Sequence, residues 1–358
     1  MEIILWVGLS QSLFAAILIG TKKENSVSDK ILTGWLSLLG IEFFTCIMDH
    51  LIFGKPLLSN SFLLFNPAFY LYIKSLTRPE FKLKWVQLLH LVPFLTFEVV
   101  GVVVPERASL VPLFEYSSNF IFNIFFIPVS LASWIGYNLA SILLVHRFRK
   151  NLQNELSSIS RENDLAWLLF LIVFYVTFCV SAYGLGLYSV LSERLLQMPF
   201  LFNYAVLLLL IYILSYYGLI QKNIFHISDV VPKVTEKYQG SFLSSSKKKE
   251  IRTAILSFFD NEKPFLNPDL NLQVLSESLD YPKHHLTEVL NTAIGKNFFQ
   301  FVNAYRVEAV KAALSKKDNL YSIEAIGYDC GFSSKSSFFT VFKKMTGMTP
   351  LQYRQSQI

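Results

Sequence analysis

Toward its C-terminal end the sequence carries two stretches whose polar side chains are placed to make hydrogen bonds and charge contacts. In the first, Leu286, Val289 and Leu290 fall on one side of a helix and leave Lys283, His284, Thr287, Glu288 and Asn291 on the other. In the second, Phe338, Phe339 and Phe342 form the apolar side. Ser334, Lys335, Ser336 and Thr340 point outward in its N-terminal half, with Lys343, Lys344 and Arg354 further along. Amides, hydroxyls and amines in such rows can read base edges in a DNA groove. The late lysines and Arg354 suit phosphate, which gives affinity and register without reading sequence. Taken singly, each of these side chains is explained equally well as solvated surface. Glu288 is the discordant member, since an acid on such a face either accepts from a cytosine amino group or points aside. His284 and His285 are adjacent and therefore face different ways on a helix. No pair of cysteines has metal-ligand spacing, so neither a metal nor a cofactor is expected, and no nucleophile triad or phosphate-cradling glycine loop marks an enzyme.

The elements that must position these residues are helices. From Lys249 onward apolar residues recur at helical spacing over 251–259, 270–279, 283–293, 297–314, 322–330 and 334–345, with a brief segment after Thr349. No stretch alternates as a strand would. The expectation is a compact seven-helix domain over 247–358. A weak repeat lies within it: Leu275-Ser-Glu-Ser-Leu-Asp280-Tyr281 matches Ile326-Gly-Tyr-Asp-Cys-Gly331-Phe332. Each copy ends a short helix at a residue tolerant of left-handed geometry. An aromatic follows, then a second helix, which is the pattern of a helix-turn-helix unit whose second helix enters the major groove.

The run Gly331-Phe-Ser-Ser-Lys-Ser-Ser-Phe-Phe-Thr-Val-Phe-Lys-Lys-Met-Thr-Gly-Met-Thr-Pro-Leu-Gln-Tyr-Arg354 closely resembles the C-terminal signature of the AraC/XylS family of bacterial transcription regulators. Upstream, Phe298-Phe-Gln-Phe-Val-Asn-Ala-Tyr-Arg306-Val-Glu-Ala resembles that family's long connecting helix, and the likeness covers roughly 267–354. It implies two DNA-reading helices held a set distance apart, entering successive major grooves on one face of the duplex. The chain departs from the family at Leu290-Asn291, where a basic residue after an aromatic is common. Base contacts are therefore expected mainly from the second unit.

The rest of the chain has a different character. Over all 358 residues 53% are apolar and only 16% charged, against about 25% charged in ordinary soluble domains. The apolar excess is concentrated in seven runs, 3–20, 31–53, 57–76, 85–104, 119–145, 165–191 and 199–220. A membrane-crossing helix needs about 20 such residues, so the expectation is an all-α chain: a seven-helix transmembrane bundle over 1–220, a linker over 221–246, and the helical domain. The first run lacks a basic leader and a small-residue cleavage site and reads as a span, not as a signal peptide. The third, with Asn60, Asn66, Pro67 and Lys74, competes with a re-entrant reading.

Lysine and arginine alternate between the connections, and cytoplasmic loops hold the excess. Connections one, three and five carry Lys22, Lys23 and Lys30, then Lys74, Arg78, Lys82 and Lys84, then Arg147, Arg149, Lys150 and Arg161. The intervening ones carry Lys55, Arg107 and Arg194. This puts the N-terminus outside and the C-terminal domain in the cytoplasm, beneath a bacterial inner membrane. Ionisable groups within spans are functional hypotheses by default, so Glu42 and Glu98 are the candidate ligand-pocket residues, with plain interfacial solvation as the alternative for Glu98. The expected function is a membrane-anchored, sequence-specific DNA-binding regulator coupling a membrane signal to transcription. A transporter-like module, or a bundle that only tethers, is the alternative. Expected partners are double-stranded DNA, the lipid bilayer, RNA polymerase, a small or lipophilic inducer, and a second copy of the chain as a homodimer.

Overall fold

The computed structural model describes residues 2–54, 62–78, 81–103, 120–158, 165–192, 200–220, 243–316 and 321–357. Most of the expected linker lies outside them. The chain divides into two compact units, Met1–His146 with Ala166–Ile224, and Arg147–Leu165 with Phe225–Ile358. The second unit thus includes, up to the start of the sixth apolar run, the segment that the hydropathy pattern assigns to the connection between two apolar runs.

In the first unit the apolar runs are helical over their described residues. The helices are α1 (Glu2–Gly20), α2 (Val27–Met48, prolonged by a π turn over Asp49–Phe53), α3 (Phe62–Thr77), α4 (Val92–Val103), α5 (Phe120–Glu155, whose residues from Arg147 on belong to the second unit), α6 (Ala166–Ser192) and α7 (Phe200–Ile220). A 3-10 segment, Trp85–Leu91, leads into α4. Among the described residues four helical stretches are long and apolar enough to cross a membrane: Glu2–Gly20, Val27–Phe53, Pro128–Glu155 and Phe202–Ile220. Trp85–Phe97 and Trp167–Ser181 are shorter apolar helices, and α3 has only 16 residues.

Helix α1 packs along α2 and against α7. Close approach depends on a glycine: a Cβ on Gly8 would stand 2.2 Å from the Phe43 ring. Small residues serve this purpose where helices meet without a hydrophobic driving force between them. Helix α2 begins at a reciprocal cap in which Ser26 and Asp29 bond each other's backbone. Lys22 joins Asp29 at 2.9 Å and the Gly218 carbonyl of α7 at 2.5 Å. Large apolar side chains such as Ile3, Phe14, Ile17, Phe44, Phe170 and Val173 face outward, which is the inverse of a water-soluble bundle.

The second unit holds α8 (Ser245–Glu262), α9 (Leu272–Leu279), α10 (Lys283–Val289), α11 (Phe298–Leu314), α12 (Ile323–Asp329), α13 (Lys335–Thr346) and α14 (Pro350–Ser356). Two apolar clusters form its core. Ile251, Ile255 and Phe259 of α8 meet Leu272, Leu275, Leu286, Val289, Phe298, Phe301 and Val302 in the first. Val307, Val310 and Leu314 meet Ile326, Phe332, Phe338, Val341 and Phe342 in the second. Helix α11 contributes to both, its N-terminal half to one and its C-terminal half to the other. It is therefore the shared spine of two small helical subdomains. Asn297 starts it with a capping box to Gln300, which satisfies two of the donors a helix start leaves open.

Candidate nucleic-acid interface

Each subdomain presents a short helix, a turn and a second helix, and the two turns are built alike. Asp280 ends α9 with φ +54°, and the Tyr281 N–H reaches back to the Ser276 carbonyl at 3.3 Å. Gly331 follows α12 with φ +90°, and the Phe332 N–H reaches the Gly327 carbonyl at 3.1 Å. Both are six-to-one bonds closed by a left-handed residue, as in a Schellman stop. The pairing Ser276/Gly327, Asp280/Gly331, Tyr281/Phe332 is the one the sequence repeat sets. Gly327 has a further reason to be small: a Cβ there would sit 2.5 Å from the Phe338 ring.

In the second subdomain Ser334 caps α13 by accepting from the Ser337 N–H at 3.2 Å. Phe338, Val341 and Phe342 are buried beneath it. Lys335, Ser336, Thr340, Lys343 and Lys344 lie on the outer side, and Ser334 is half-buried. Lys335 forms an ion pair with Glu324 of α12 and lies 5.8 Å over the Phe339 ring. Arg354, on α14, is half-buried and donates to the Tyr321 carbonyl at 3.4 Å.

The first subdomain is less open. His284 and Asn291 are exposed; Lys283 and Thr287 are more enclosed, the Thr287 hydroxyl donating to the Lys283 carbonyl at 2.9 Å. Burial, together with the neighbouring His284, lowers the pKa of His285. Glu288 is not on the outer face: it is only 7% exposed, and Lys248 of α8 reaches it at 2.9 Å. Of the two readings open for this residue, pointing aside is the one the geometry takes, because α8 packs over that side of α10. The lysine run 247–249 thereby gains a structural role that spacing alone does not show.

The side chain at the centre of this domain is one that the sequence reading does not single out. Arg306, on α11, is fully buried. It donates to the Phe265 carbonyl at 2.8 Å, the Asn267 carbonyl at 2.8 Å, the Ser157 carbonyl at 3.0 Å and the Ser157 hydroxyl at 3.1 Å. Its guanidinium lies 5.9 Å from the Phe332 ring. Burial pushes its pKa down to about 10, with Asp269 opposing, so it stays charged at neutral pH. The signal for it is its register: Arg306 falls between Val302 and Val310 on the buried stripe of α11.

Of the two candidates in the apolar unit, Glu42 is buried and accepts from the Tyr204 hydroxyl at 3.2 Å. Glu98 belongs to α4, and its side chain lies outside those described. Among the described residues no group of three or more His, Cys, Asp or Glu is arranged to hold a metal ion.

Two subdomains, each a helix-turn-helix with a polar outer helix, define a helix-turn-helix domain. Residues 275–356 match the family model described as a helix-turn-helix domain. An HTH-type transcriptional regulator of Staphylococcus aureus strain COL is 32% identical over 136 residues, 38% of this chain and 17% of that protein. One from Pseudoalteromonas carrageenovora is 30% identical over 88 residues, 25% of this chain and 51% of that one. The chain thus spans about a sixth of the length of the first relative and half of the second. A solved structure, a protein of unknown function from Listeria innocua, is 27% identical, with a TM-score of 0.26, and is matched over 96% of its length and 30% of this chain.

Proposed function

We propose that this protein is a membrane-anchored transcription regulator that binds double-stranded DNA through α10 and α13. The observation that carries it is the pair of alike turns, each followed by a helix with an outward polar face, on one connecting helix. The outer face of α13 reads base edges through Lys335, Ser336 and Thr340. Lys343, Lys344 and Arg354 hold phosphate. Lys283, His284, Thr287 and Asn291 make a secondary set from α10, and Glu288 is left out of it. The outward apolar side chains of the first unit support its lying in a bilayer, with the seven apolar runs as seven spans and the charge alternation keeping the C-terminal domain in the cytoplasm.

The bundle also senses. Glu42 is already engaged by Tyr204, so a better receptor for a small lipophilic inducer is an open groove of about 530 Å³ lined by Leu64, Pro67, Leu71, Trp85, Leu88 and His90. RNA polymerase and a second copy of the chain are the remaining partners of this reading. The test is duplex binding by the full chain in detergent micelles. Affinity should fall linearly with salt on logarithmic axes, as released counterions require, and a pool of random duplexes should be enriched for a common site. Binding without enrichment defeats the sequence-reading part, and absence of binding at low salt defeats the whole.

A further inference from the structure

The second unit contains six residues that a DNA-binding domain by itself has no need of. Helix α5 ends at Glu155, and the chain continues through Ser158 across the helix-turn-helix domain. Leu156 makes an antiparallel bridge with Asn271, the cap of α9, and the Ser157 hydroxyl donates to the Leu270 carbonyl. The Ser157 carbonyl accepts from Asn303 at 2.9 Å and from Arg306 at 3.0 Å, both on α11. Ser158 and Ser333 bond through their hydroxyls, one residue before the cap of α13. Asn297 donates to Gln153 at 3.4 Å. Glu155 is buried within electrostatic range of Lys283, the first residue of α10. Ser157 itself is only 1% exposed. This is an ordered seat, with partners in both subdomains and on the spine between them.

The position of the seat matters. In a helix-turn-helix unit the N-terminal residues of the second helix are those that meet base edges, while the first helix crosses the backbone. Residues 153–158 are bonded at Asn271 and at Ser333, the beginning of α9 and the approach to α13, and Glu155 lies near Lys283, the beginning of α10. We propose that residues 153–158 form a built-in strap that lies beside the starts of both reading units and obstructs the approach of the duplex until it is withdrawn; His284, Lys335, Ser336 and Thr340 stay exposed next to it. The inference rests on the DNA-binding reading above. The strap continues a helix that starts at Phe120, among the apolar runs, so a change in that helix is the natural trigger for its withdrawal. Apparent affinity scales with the fraction of molecules whose site is open, so a strap seated nine-tenths of the time weakens binding about tenfold.

The test uses the full chain in detergent micelles and, as probe, a random-sequence duplex of about 40 base pairs, ample for two grooves one helical turn apart. Ser158→Cys with Ser333→Cys allows the strap to be locked by oxidation and freed by reduction within one folded sample. The native Cys330 is buried and its thiol is pushed up to about 11 by that burial, so it exchanges slowly with the new pair. Binding should be at least about tenfold weaker in the oxidised than in the reduced protein. At about pH 5, where the protonated Glu155 still favours seating, Glu155→Ala with Ser157→Gly, which loosens the strap and leaves α10 and α13 intact, should bind more tightly than the unaltered chain by a similar factor. Equal affinity of the oxidised and reduced forms, or tighter binding by the oxidised one, overturns the strap while leaving DNA binding intact. Absence of duplex binding by every form, including the reduced and loosened ones, overturns the DNA-binding reading and the strap with it.

Discussion

Replacing Gly331 with alanine tests whether the second turn is held as tightly as the structure shows. Two costs add there. Gly331 has φ +90°, a region that costs an L-residue roughly 1–2 kcal/mol. Its new Cβ would also stand 2.1 Å from the Phe265 carbonyl oxygen and 3.0 Å from the Leu266 Cα and carbonyl carbon. These are backbone atoms, and the Arg306 guanidinium fixes the loop by bonding the Phe265 and Asn267 carbonyls at 2.8 Å each. The loop cannot easily retreat, so overpacking adds about 1–3 kcal/mol. Gly347 is the control: its φ is +77° and nothing lies within 4 Å of where its Cβ would be. Gly347→Ala should therefore show the conformational cost alone, about 1–2 kcal/mol, and Gly331→Ala about 2–5 kcal/mol in total. With a urea slope near 2 kcal/mol/M, these become midpoint shifts of about 0.7 M and 1–2.5 M. Pulse proteolysis of the full chain in urea, following the C-terminal fragment, reads both. A Gly331→Ala shift no larger than that of Gly347→Ala would refute the reasoning.

Lys343→Ala with Lys344→Ala should reduce the slope of log affinity against log salt by about 2, near 0.9 for each phosphate no longer neutralised; an unchanged slope removes these lysines from the phosphate set. Glu288→Ala should lower the urea midpoint by about 0.5 M at most, because Lys248 is partly exposed and the pair is screened, and should leave the sequences selected from a random duplex pool unchanged. A shift in those sequences would return Glu288 to the groove. Burial raises the Glu155 carboxyl to about 7, with Lys283 opposing, so the seated strap holds its proton more tightly than a free one. Its contribution to seating is complete below the ordinary carboxyl value near 4.5 and is lost as pH rises from there to about 7. Duplex binding by the unaltered chain, measured relative to Glu155→Gln, should therefore strengthen between about pH 5 and about pH 7.5; a constant ratio counts against the seating of Glu155.

Local signals carry much of the second unit. The Asp280-Tyr281 and Gly331-Phe332 pairs announce two turns because left-handed geometry and an aromatic stop are properties of adjacent residues. The apolar spacing of Phe338 and Phe342 places the outer face of α13, since a helix of known period needs no long-range information. Apolar length likewise outlines the helices of the first unit. What stays hidden depends on partners distant in the chain. Glu288 turns inward because Lys248, about forty positions earlier, is waiting on α8. Residues 153–158 resemble any polar connection, and their place in the second unit depends on Asn303 and Arg306. The third and fourth apolar runs have the composition of spans, yet α3 is short and the fourth run is divided between a 3-10 segment and α4.

Arg306 shows why these distant features belong together. A buried guanidinium is costly unless its hydrogen-bonding capacity is met, and here the acceptors come from the loop before α9 and from Ser157, with the Phe332 ring of the second turn beside them. One side chain therefore touches both subdomains and the strap at once. Groups that share a partner do not contribute additively. Loosening the strap with Glu155→Ala and Ser157→Gly gives Arg306 fewer fixed acceptors and the 265–267 loop more freedom to yield. The same loop is the obstacle that a Cβ on Gly331 meets. The destabilisation by Gly331→Ala should accordingly be smaller in the loosened background than in the unaltered chain, a coupling that would be absent if the strap merely lay on the surface.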